Sequence, residues 1–323
     1  MNEILGEKRK FMFVNNQNYE EAVRKQREQD ITNVLESIGV FDKFEKEKVV
    51  SMYYKPIGIT YNSCIDVPGK NFLVVELLGC NMQCGYCCKL DMFKINDISY
   101  DEVYMSFIEF LEKYLNSSTY RNVVISGGEP LMNCPFLDNS MSNKNITYLI
   151  TYMVHYYNKE VKIHTNGSNF GTLNHMLSTL DPNKYNPFVP DYIAIDIKCS
   201  KETYQTMFTT EANEPPSVLI DNVFKSITLI QNLRTYCNGP KKKVSYEFIT
   251  PMIPEVTSID EIERILPYIK EDSVWRFKKF KKKIKHVDAF FDRAYNLLGH
   301  EEYELLEVAQ RKVKNACFIN EKT

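Results

Sequence analysis

Residues 72–88 of the chain read Phe72-Leu-Val-Val-Glu-Leu-Leu-Gly-Cys80-Asn-Met-Gln-Cys84-Gly-Tyr-Cys87-Cys88, an apolar run that leads directly into four cysteines. The apolar run is rich in Val, Leu and Phe, as in a parallel strand that is buried on both faces. Cysteine thiolates are soft ligands, which suit zinc and iron–sulfur clusters. This stretch therefore predicts a buried strand that ends at a metal-binding loop.

The first three of these cysteines have the spacing of a cluster site. Three residues separate Cys80 from Cys84, and two separate Cys84 from Cys87. Thiolates so placed fit a cubane [4Fe-4S] cluster with one iron left open for another ligand. A zinc site usually takes four ligands in two pairs, and the chain has no second Cys-x-x-Cys pair. We predict Cys80, Cys84 and Cys87 as the metal ligands, although Cys88 could replace Cys87 with a different spacing.

The rest of the chain alternates short apolar runs with longer amphipathic stretches. Strands are predicted at 72–78, 122–126, 161–165, 192–197, 244–249 and 273–277, and helices near 100–115, 143–157, 169–179, 217–235 and 258–270. This alternation indicates parallel βα units. Six units without a nucleotide-binding GxGxxG turn favour an α/β fold of the partial (β/α)6 TIM-like barrel type. A closing helix around Tyr303, Leu306 and Val313 and a short edge strand at 316–319 are predicted to follow.

The bulk properties are those of an ordinary soluble globular protein. Hydrophobic residues make up 44% of the 323 residues, charged residues make up 25%, and the net charge is −2. This charge demands neither nucleic acid nor a membrane surface as a partner, and no apolar run is long enough for a transmembrane helix. The N-terminus lacks the order of a signal peptide. Nine cysteines, three of them within eight residues, indicate a metal site in a reducing compartment, so we expect a cytoplasmic location.

The first 55 residues differ from the rest of the chain. Asn18 and Glu21 form a plausible capping pair, and apolar residues then follow helical spacing at Ile31, Val34, Leu35 and Ile38. Such a helix packs on its own domain or on a partner. The predicted organisation is a helical N-terminal extension at 1–55 and a barrel domain at 56–323.

Polar motifs follow three of the later predicted strands, at the carboxyl ends where barrels carry their chemistry. The second strand ends in Ser126-Gly127-Gly128-Glu129-Pro130, and a glycine pair permits the close approach of backbone to a ligand. The third strand ends in His164-Thr165-Asn166-Gly167. The fourth ends in Asp196-Ile197-Lys198, whose acid and base face the same side of an extended strand. They are either a surface ion pair or part of an active site.

Cys80-x3-Cys84-x-Tyr86-Cys87 after a first strand resembles the signature of the radical S-adenosylmethionine (SAM) superfamily. The resemblance implies that the open iron chelates SAM, and that one electron cleaves SAM to methionine and a 5′-deoxyadenosyl radical that abstracts a hydrogen atom. It also implies that Tyr86 lies beside the adenine. Gly127-Gly128-Glu129 is similar to the family's GGE motif, which binds the SAM amino group.

Later segments resemble one group within this superfamily, the enzymes that activate glycyl-radical proteins, and most closely the activating proteins of anaerobic ribonucleotide reductase. The similar segments are 64–70, Thr165-Asn166-Gly167, Asp196-x-Lys198, 246–251 and 275–280, so the resemblance covers about residues 62–320. It implies that Thr165, Asn166, Asp196 and Lys198 lie around the SAM carboxylate and the substrate. One departure is His164, because those activases usually carry an aspartate there. The loss of that anionic ligand argues against a cation site, and His164 is either a titrating group or a histidine satisfied by its neighbours.

The resemblance also implies partners. These are a glycyl-radical protein as substrate and an electron donor of the flavodoxin or ferredoxin type, with a single cluster because too few cysteines remain for others. One alternative is a radical SAM enzyme that modifies a small molecule, a nucleotide or RNA, although nucleic acid is not favoured. A second is a non-enzymatic iron–sulfur or zinc-binding protein. Six lysines within residues 278–285 form either a solvated face or a basic rim that attracts an acidic partner.

Overall fold

The structure of the chain is a computed structural model that describes residues 55–57, 72–77, 79–88, 122–132, 146–178, 180, 183–209, 216–232, 243–280, 285–292 and 299–319. The chain divides into two units, Met1–Val49 and Val50–Thr323, and all described residues belong to the second. The predicted N-terminal helical extension and the predicted helix near 100–115 lie outside the described residues. The proposed domain boundary therefore stays a prediction.

One eight-stranded sheet forms the centre of the described fold. Its strands, in spatial order, are β1 (Lys55–Ile57), β2 (Phe72–Leu77), β4 (Asn122–Gly127), β5 (Glu160–Thr165), β6 (Tyr192–Asp196), β8 (Ser245–Met252), β9 (Val274–Lys279) and β10 (Asn315–Phe318). β1 pairs with β2 in the antiparallel direction, and every other pair is parallel. Two further short strands, β3 (Gln83–Cys84) and β7 (Phe208–Thr209), form a separate antiparallel ladder.

The α/β prediction is confirmed by this sheet. All six predicted parallel strands are present in the predicted order, and the short edge strand predicted near the C-terminus is the seventh parallel strand, β10. The seven follow one another in chain order with β1 and β10 at the two ends, which is the arrangement of a partial TIM-like barrel. The carboxyl ends of the strands therefore share one edge.

Six helices accompany the strands among the described residues. They are α1 (Ile146–Tyr156), α2 (Phe170–Ser178), α3 (Lys201–Met207), α4 (Pro216–Gln231), α5 (Ile259–Ile265) and α6 (Gly299–Gln310). α5 begins at an N-cap, where the Ser258 side chain accepts a hydrogen bond from the Glu261 backbone N–H, and a 3₁₀ turn at Leu266–Tyr268 extends it. Within the described part of the chain, no helix has the length and apolar character needed to span a bilayer.

The two faces of the sheet carry different residues. A methyl group added to Gly167 would touch Ile195 and the α4 residues Val223 and Ser226, so Ile195 lies on the face covered by α4. Strand neighbours at the same level share a face. Asp196 is the next residue along β6 and therefore lies on the opposite, inner face. Asp196 is aligned with Ile249 of β8, and Ile249 is aligned with Arg276 of β9, so these two residues also lie on the inner face.

A buried carboxylate organises part of this inner face. Glu247 accepts hydrogen bonds from Lys162 Nζ at 2.5 Å, from Arg276 Nε at 2.7 Å and from the Tyr192 hydroxyl at 3.0 Å. Burial raises the pKa of Glu247, but Lys162 and Arg276 outweigh this effect, and the net direction is downward. Four strands are thus joined across the barrel interior by one ionised group.

Candidate functional site

Residues 79–88, which we call the cysteine loop, follow β2 at the carboxyl edge of the sheet. Cys84 belongs to β3 and is buried, while Cys80 and Cys87 are half-buried. The Cys87 backbone N–H donates to the Cys84 carbonyl at 2.9 Å, which turns the loop back on itself. Cys88 is exposed. The arrangement therefore favours Cys87 over Cys88 as the third ligand.

The three predicted ligands lie close enough to affect one another's ionisation. Burial raises the pKa of the Cys80 thiol to about 11, and Cys87 contributes to the rise. Burial also raises the pKa of the Cys84 thiol, and both Cys80 and Cys87 raise it further. Three thiolates in such a place would need positive charge beside them, which bound iron would supply. The residues therefore fit an iron–sulfur cluster.

A single metal ion fits these residues less well. Among the residues that the structure describes, no three His, Cys, Asp or Glu side chains converge on a point that one ion could occupy. A structural zinc site needs four donors around one ion. A cubane cluster instead distributes its ligands over separate iron atoms, so its cysteines need not converge.

A polar network connects the loop after β5 to Cys80. Asn166 Nδ2 lies 3.9 Å from Cys80 Sγ and donates to Asn81 Oδ1 at 3.1 Å. Asn166 Oδ1 accepts from the Ser168 backbone N–H at 2.8 Å and from the Ser168 hydroxyl at 2.6 Å. Because these donors occupy the oxygen, the amide nitrogen must face the sulfur. Asn166 thus presents an N–H to a predicted cluster ligand.

The glycine pair after β4 lets the second loop approach the cysteine loop. Gly127 has a φ of 118°, a left-handed conformation that other residues avoid. The Gly128 N–H donates to the Leu77 carbonyl at 2.9 Å, and the Glu129 N–H donates to the Gly79 carbonyl at 2.8 Å. The two loops are therefore joined backbone to backbone.

A side chain at Gly128 would prevent this contact. Its Cβ would lie 1.8 Å from the Gly79 carbonyl oxygen and 3.2 Å from the Cys80 nitrogen. We expect Gly128→Ala to push the loops apart and to lower the free energy of unfolding by roughly 3 kcal/mol, measured by urea denaturation. Gly171→Ala is the control, because a Cβ on this α2 residue meets no atom within 4 Å and should leave stability unchanged or slightly raised. Equal effects of the two substitutions would contradict the prediction.

Glu129 is almost completely buried, with 2% of its surface exposed. Its carboxylate accepts from the Leu131 N–H at 2.9 Å, from the Thr165 hydroxyl at 2.5 Å and from the Asn166 N–H at 2.6 Å. Burial raises the pKa of Glu129 to about 7, while these hydrogen bonds oppose the rise. Three protein donors leave little accepting capacity for a ligand. Glu129 and Thr165 therefore hold the loops after β4 and β5 together.

Asp196 lies between two partners at the end of β6. His164 Nε2 is 2.6 Å from Asp196 Oδ1, and Lys198 Nζ donates to Asp196 Oδ2 at 2.7 Å. Burial raises the pKa of Asp196, but Lys198 and His164 together hold it well below its usual range. Lys198 is 7% exposed. Burial lowers the pKa of Lys198, but Asp196 and the neighbouring Tyr86 and Cys84 outweigh this effect, and the net direction is upward. The ion pair therefore joins a buried lysine to an aspartate whose side chain is 24% exposed.

Lys198 brings the two halves of the site together. Its charge acts on Cys80, Cys84 and Glu129 as well as on Asp196. Its backbone N–H donates to the Tyr204 hydroxyl at 2.9 Å, which fixes the middle of α3 against the segment that follows β6. The cysteines, the glycine loop and the Asp196–Lys198 pair therefore form one continuous site.

Tyr86 is half-buried in the cysteine loop, and its ring meets Phe291 edge-on with centroids 6.2 Å apart. Burial holds the pKa of Tyr86 well above its ordinary value. The sequence interpretation missed Phe291, Asn81 and Ser168. Asn81 and Ser168 were open to recognition, because each is a polar residue within two positions of a predicted site residue. No local signal connects Phe291 to the cysteine loop.

Only part of the lysine run falls in the described chain. Lys278 and Lys279 belong to β9, where Lys279 pairs with Glu302 at 2.7 Å, and Lys285 is exposed. Residues 281–284 lie outside the described residues. The basic rim therefore stays a prediction.

Three cysteines and a glycine-rich loop thus lie together at the carboxyl edge of the parallel strands. Residues 67–209 match the family model described as a 4Fe-4S single cluster domain. The matched region includes Cys80, Cys84 and Cys87, in agreement with the predicted cluster site. One relative is a protein of Methanocaldococcus jannaschii that is provisionally described as a glycyl-radical enzyme activating enzyme. It is 28% identical to this chain over 255 residues, and the match covers 78% of this chain and 89% of that protein.

Two solved structures of low sequence identity match parts of the chain. The structure of TYW1 with a lysine-pyruvate adduct bound has a TM-score of 0.44 and 11% identity, and the match covers 75% of this chain and 74% of that chain. Native anSMEcpe with bound AdoMet and Kp18Cys peptide has a TM-score of 0.40 and 12% identity, with 64% of this chain and 50% of that chain covered.

Proposed function

We propose that the chain is a radical SAM enzyme, and that it activates a glycyl-radical partner protein by abstracting a hydrogen atom from a glycine of that partner. The observation that carries the proposal is the similarity to the M. jannaschii protein, because it extends over 78% of the chain and is not confined to the cysteine motif. The identity is 28%. A partner that must present a backbone glycine also suits a site at the open edge of a barrel.

Cys80, Cys84 and Cys87 are the proposed ligands of one cluster. The bound cluster would supply the electron that cleaves SAM to methionine and a 5′-deoxyadenosyl radical, the species that takes the hydrogen atom. Burial of the Cys84 side chain supports this assignment, because it keeps water from the ligand bond. An electron donor of the flavodoxin or ferredoxin type and a cytoplasmic location complete the proposal.

The proposed SAM site comprises seven residues with different tasks: Tyr86, Gly127, Gly128, Glu129, Thr165, Asn166 and Asp196. Tyr86 would lie beside the adenine, and Gly127 and Gly128 would let the backbone approach the amino group. Glu129 and Thr165 already bond to each other at 2.5 Å, so their proposed task is to hold these loops. Asn166 and Asp196 would face the carboxylate side of SAM and the substrate.

Asp196 and Lys198 are the proposed catalytic pair beside the reacting atoms. Each charge is compensated by the other at 2.7 Å, which supports a fixed polar environment that needs no reorganisation during reaction. Lys198 would offer an ammonium to the anionic end of SAM, while Asp196 keeps that ammonium oriented. His164 is the third member, and it holds the other oxygen of Asp196.

The test begins with anaerobic reconstitution with iron and sulfide, followed by dithionite and SAM. We expect 5′-deoxyadenosine, and then a glycine-centred radical by electron paramagnetic resonance (EPR) when a glycyl-radical protein from the same genome is added. 5′-Deoxyadenosine without any transfer to such a protein would place the substrate among small molecules, nucleotides or RNA. If the reconstituted protein contains the full cluster but its EPR signal does not change when SAM is added, the protein is a non-enzymatic iron–sulfur protein.

A further inference from the structure

Residues 285–292 fold back onto the cysteine loop, and we call this segment the clasp. The Val287 backbone N–H donates to the Cys87 carbonyl at 3.0 Å, and the Asp288 N–H donates to the Gly85 carbonyl at 2.8 Å. These two bonds bracket Tyr86. A segment about 200 positions away in the chain therefore fixes the backbone on both sides of this tyrosine.

Phe291 fills the space between the clasp and the cysteine loop. It is 4% exposed, and it forms a buried cluster with Ile253 against which Tyr86 packs. A Cβ on Gly85 would lie 3.1 Å from the Phe291 ring and 3.3 Å from Asp288 Cβ, so the loop and the clasp are in close contact. The adjacent Phe290 is 49% exposed. Its ring meets Phe291 edge-on with centroids 5.1 Å apart, so the two phenylalanines differ in burial, and only Phe291 is packed against Tyr86 in the buried cluster.

A histidine and an aspartate tie the ends of the clasp together. Asp292 Oδ1 accepts from the His286 backbone N–H at 2.7 Å and lies 2.9 Å from His286 Nδ1. The His286 ring stacks on Phe280 with centroids 5.4 Å apart and planes 19° apart. Because Phe280 directly follows β9, the clasp is anchored to the barrel at the same edge as the site.

We propose that the clasp is a positioning element of the SAM site and that Phe291 is its positioning residue, acting through Tyr86. The inference rests on the proposed function, in which Tyr86 lies beside the adenine. The edge-on contact of Phe291 fixes the tilt of the Tyr86 ring, and the two backbone bonds fix its height above the loop. Removing the Phe291 ring leaves both backbone bonds in place but takes away the ring that the Tyr86 side chain meets edge-on. SAM affinity should therefore fall while the cluster remains.

The experiment uses the full chain after anaerobic reconstitution, with iron and sulfide counted in each variant. The dissociation constant of SAM is read from the SAM-dependent change in the EPR signal of the reduced cluster. We expect Phe291→Ala to raise this constant about tenfold at unchanged iron content, which matches the loss of one aromatic pair. Phe290→Ala, the matched control, should change it less than twofold, and Phe291→Leu should fall between them.

The outcomes separate the inference from the function. Equal SAM constants for Phe291→Ala and Phe290→Ala, with wild-type protein responding normally, overturn the inference alone. Absence of any SAM response in the wild type overturns the proposed function, and the inference with it. Where Phe291→Ala fails to retain iron, Phe291→Leu decides: a raised SAM constant at full iron content supports the clasp, and a wild-type constant overturns it.

Discussion

Replacing Cys84 with alanine is expected to abolish cluster binding, and replacing Cys80 or Cys87 should do the same. Each change removes one of only three proposed thiolate ligands of the cluster. Iron and sulfide analysis after anaerobic reconstitution, together with the visible absorption of the cluster, measures the loss. Far-ultraviolet circular dichroism checks that each variant remains folded.

Cys88→Ala is the matched control for these replacements. Cys88 directly follows Cys87 but is exposed, whereas Cys84 is buried and electrostatically coupled to Cys80 and Cys87. We expect the control to bind iron and sulfide as the wild type does. A cluster that survives in Cys87→Ala but disappears in Cys88→Ala would show that the third ligand has been assigned to the wrong residue.

The strands were predictable because each is a short apolar run between polar stretches. β2 and β6 end one residue before the predicted boundary, while β8 continues three residues beyond its predicted end, to Met252. β8 includes Pro251, although proline usually ends or borders a strand because it cannot donate a hydrogen bond to a sheet ladder. Here Pro251 is aligned with Lys278 near the end of the β8–β9 pairing.

The missed elements are short or depend on distant contacts. α3 has seven residues, and β3 and β7 have two each, which is below the length at which hydrophobic periodicity is visible. The final helix was predicted at the correct place, although Val313, one of the residues that indicated it, lies beyond its last residue, Gln310. Tyr303 is 63% exposed, although its ring contacts Phe318, while Leu305, Val308 and Ala309 are buried.

The candidate site was predictable at the level of motifs and not of contacts. The rule that barrel chemistry lies at carboxyl strand ends was enough to group Cys80, Glu129, Asn166 and Asp196. The sequence could not show that Glu129 spends its hydrogen bonds on Thr165 and Asn166. It also left His164 between two interpretations, and the structure gives this histidine Asp196 as its partner at 2.6 Å.

Asp196→Asn is expected to destabilise the fold strongly, by about 3 to 5 kcal/mol in free energy of unfolding. The substitution removes the counter-charge of Lys198, which is 7% exposed and cannot be solvated without opening the site. Urea denaturation at neutral pH measures the change. The double variant Asp196→Leu/Lys198→Met should lose less than the sum of its single substitutions, because it leaves no buried charge behind.

Asp221→Asn provides the matched control and pH supplies a second test. Lys201 and Asp221 are also a Lys–Asp pair, but their side chains are 40% and 47% exposed, so breaking this pair should change stability little.

Because the pKa of Asp196 is lowered and that of Lys198 is raised, the folded Asp196–Lys198 pair is charged across the neutral range. Its stabilisation should be complete above the unfolded aspartate pKa of about 4 and should decline as the pH falls further. It should also decline as the pH rises beyond the unfolded lysine pKa of about 10.4. The stability difference between wild type and Asp196→Asn should therefore be larger at neutral pH than in strong acid. A difference that grows in acid would mean that Asp196 is protonated in the folded protein and that the ion pair does not hold the site together.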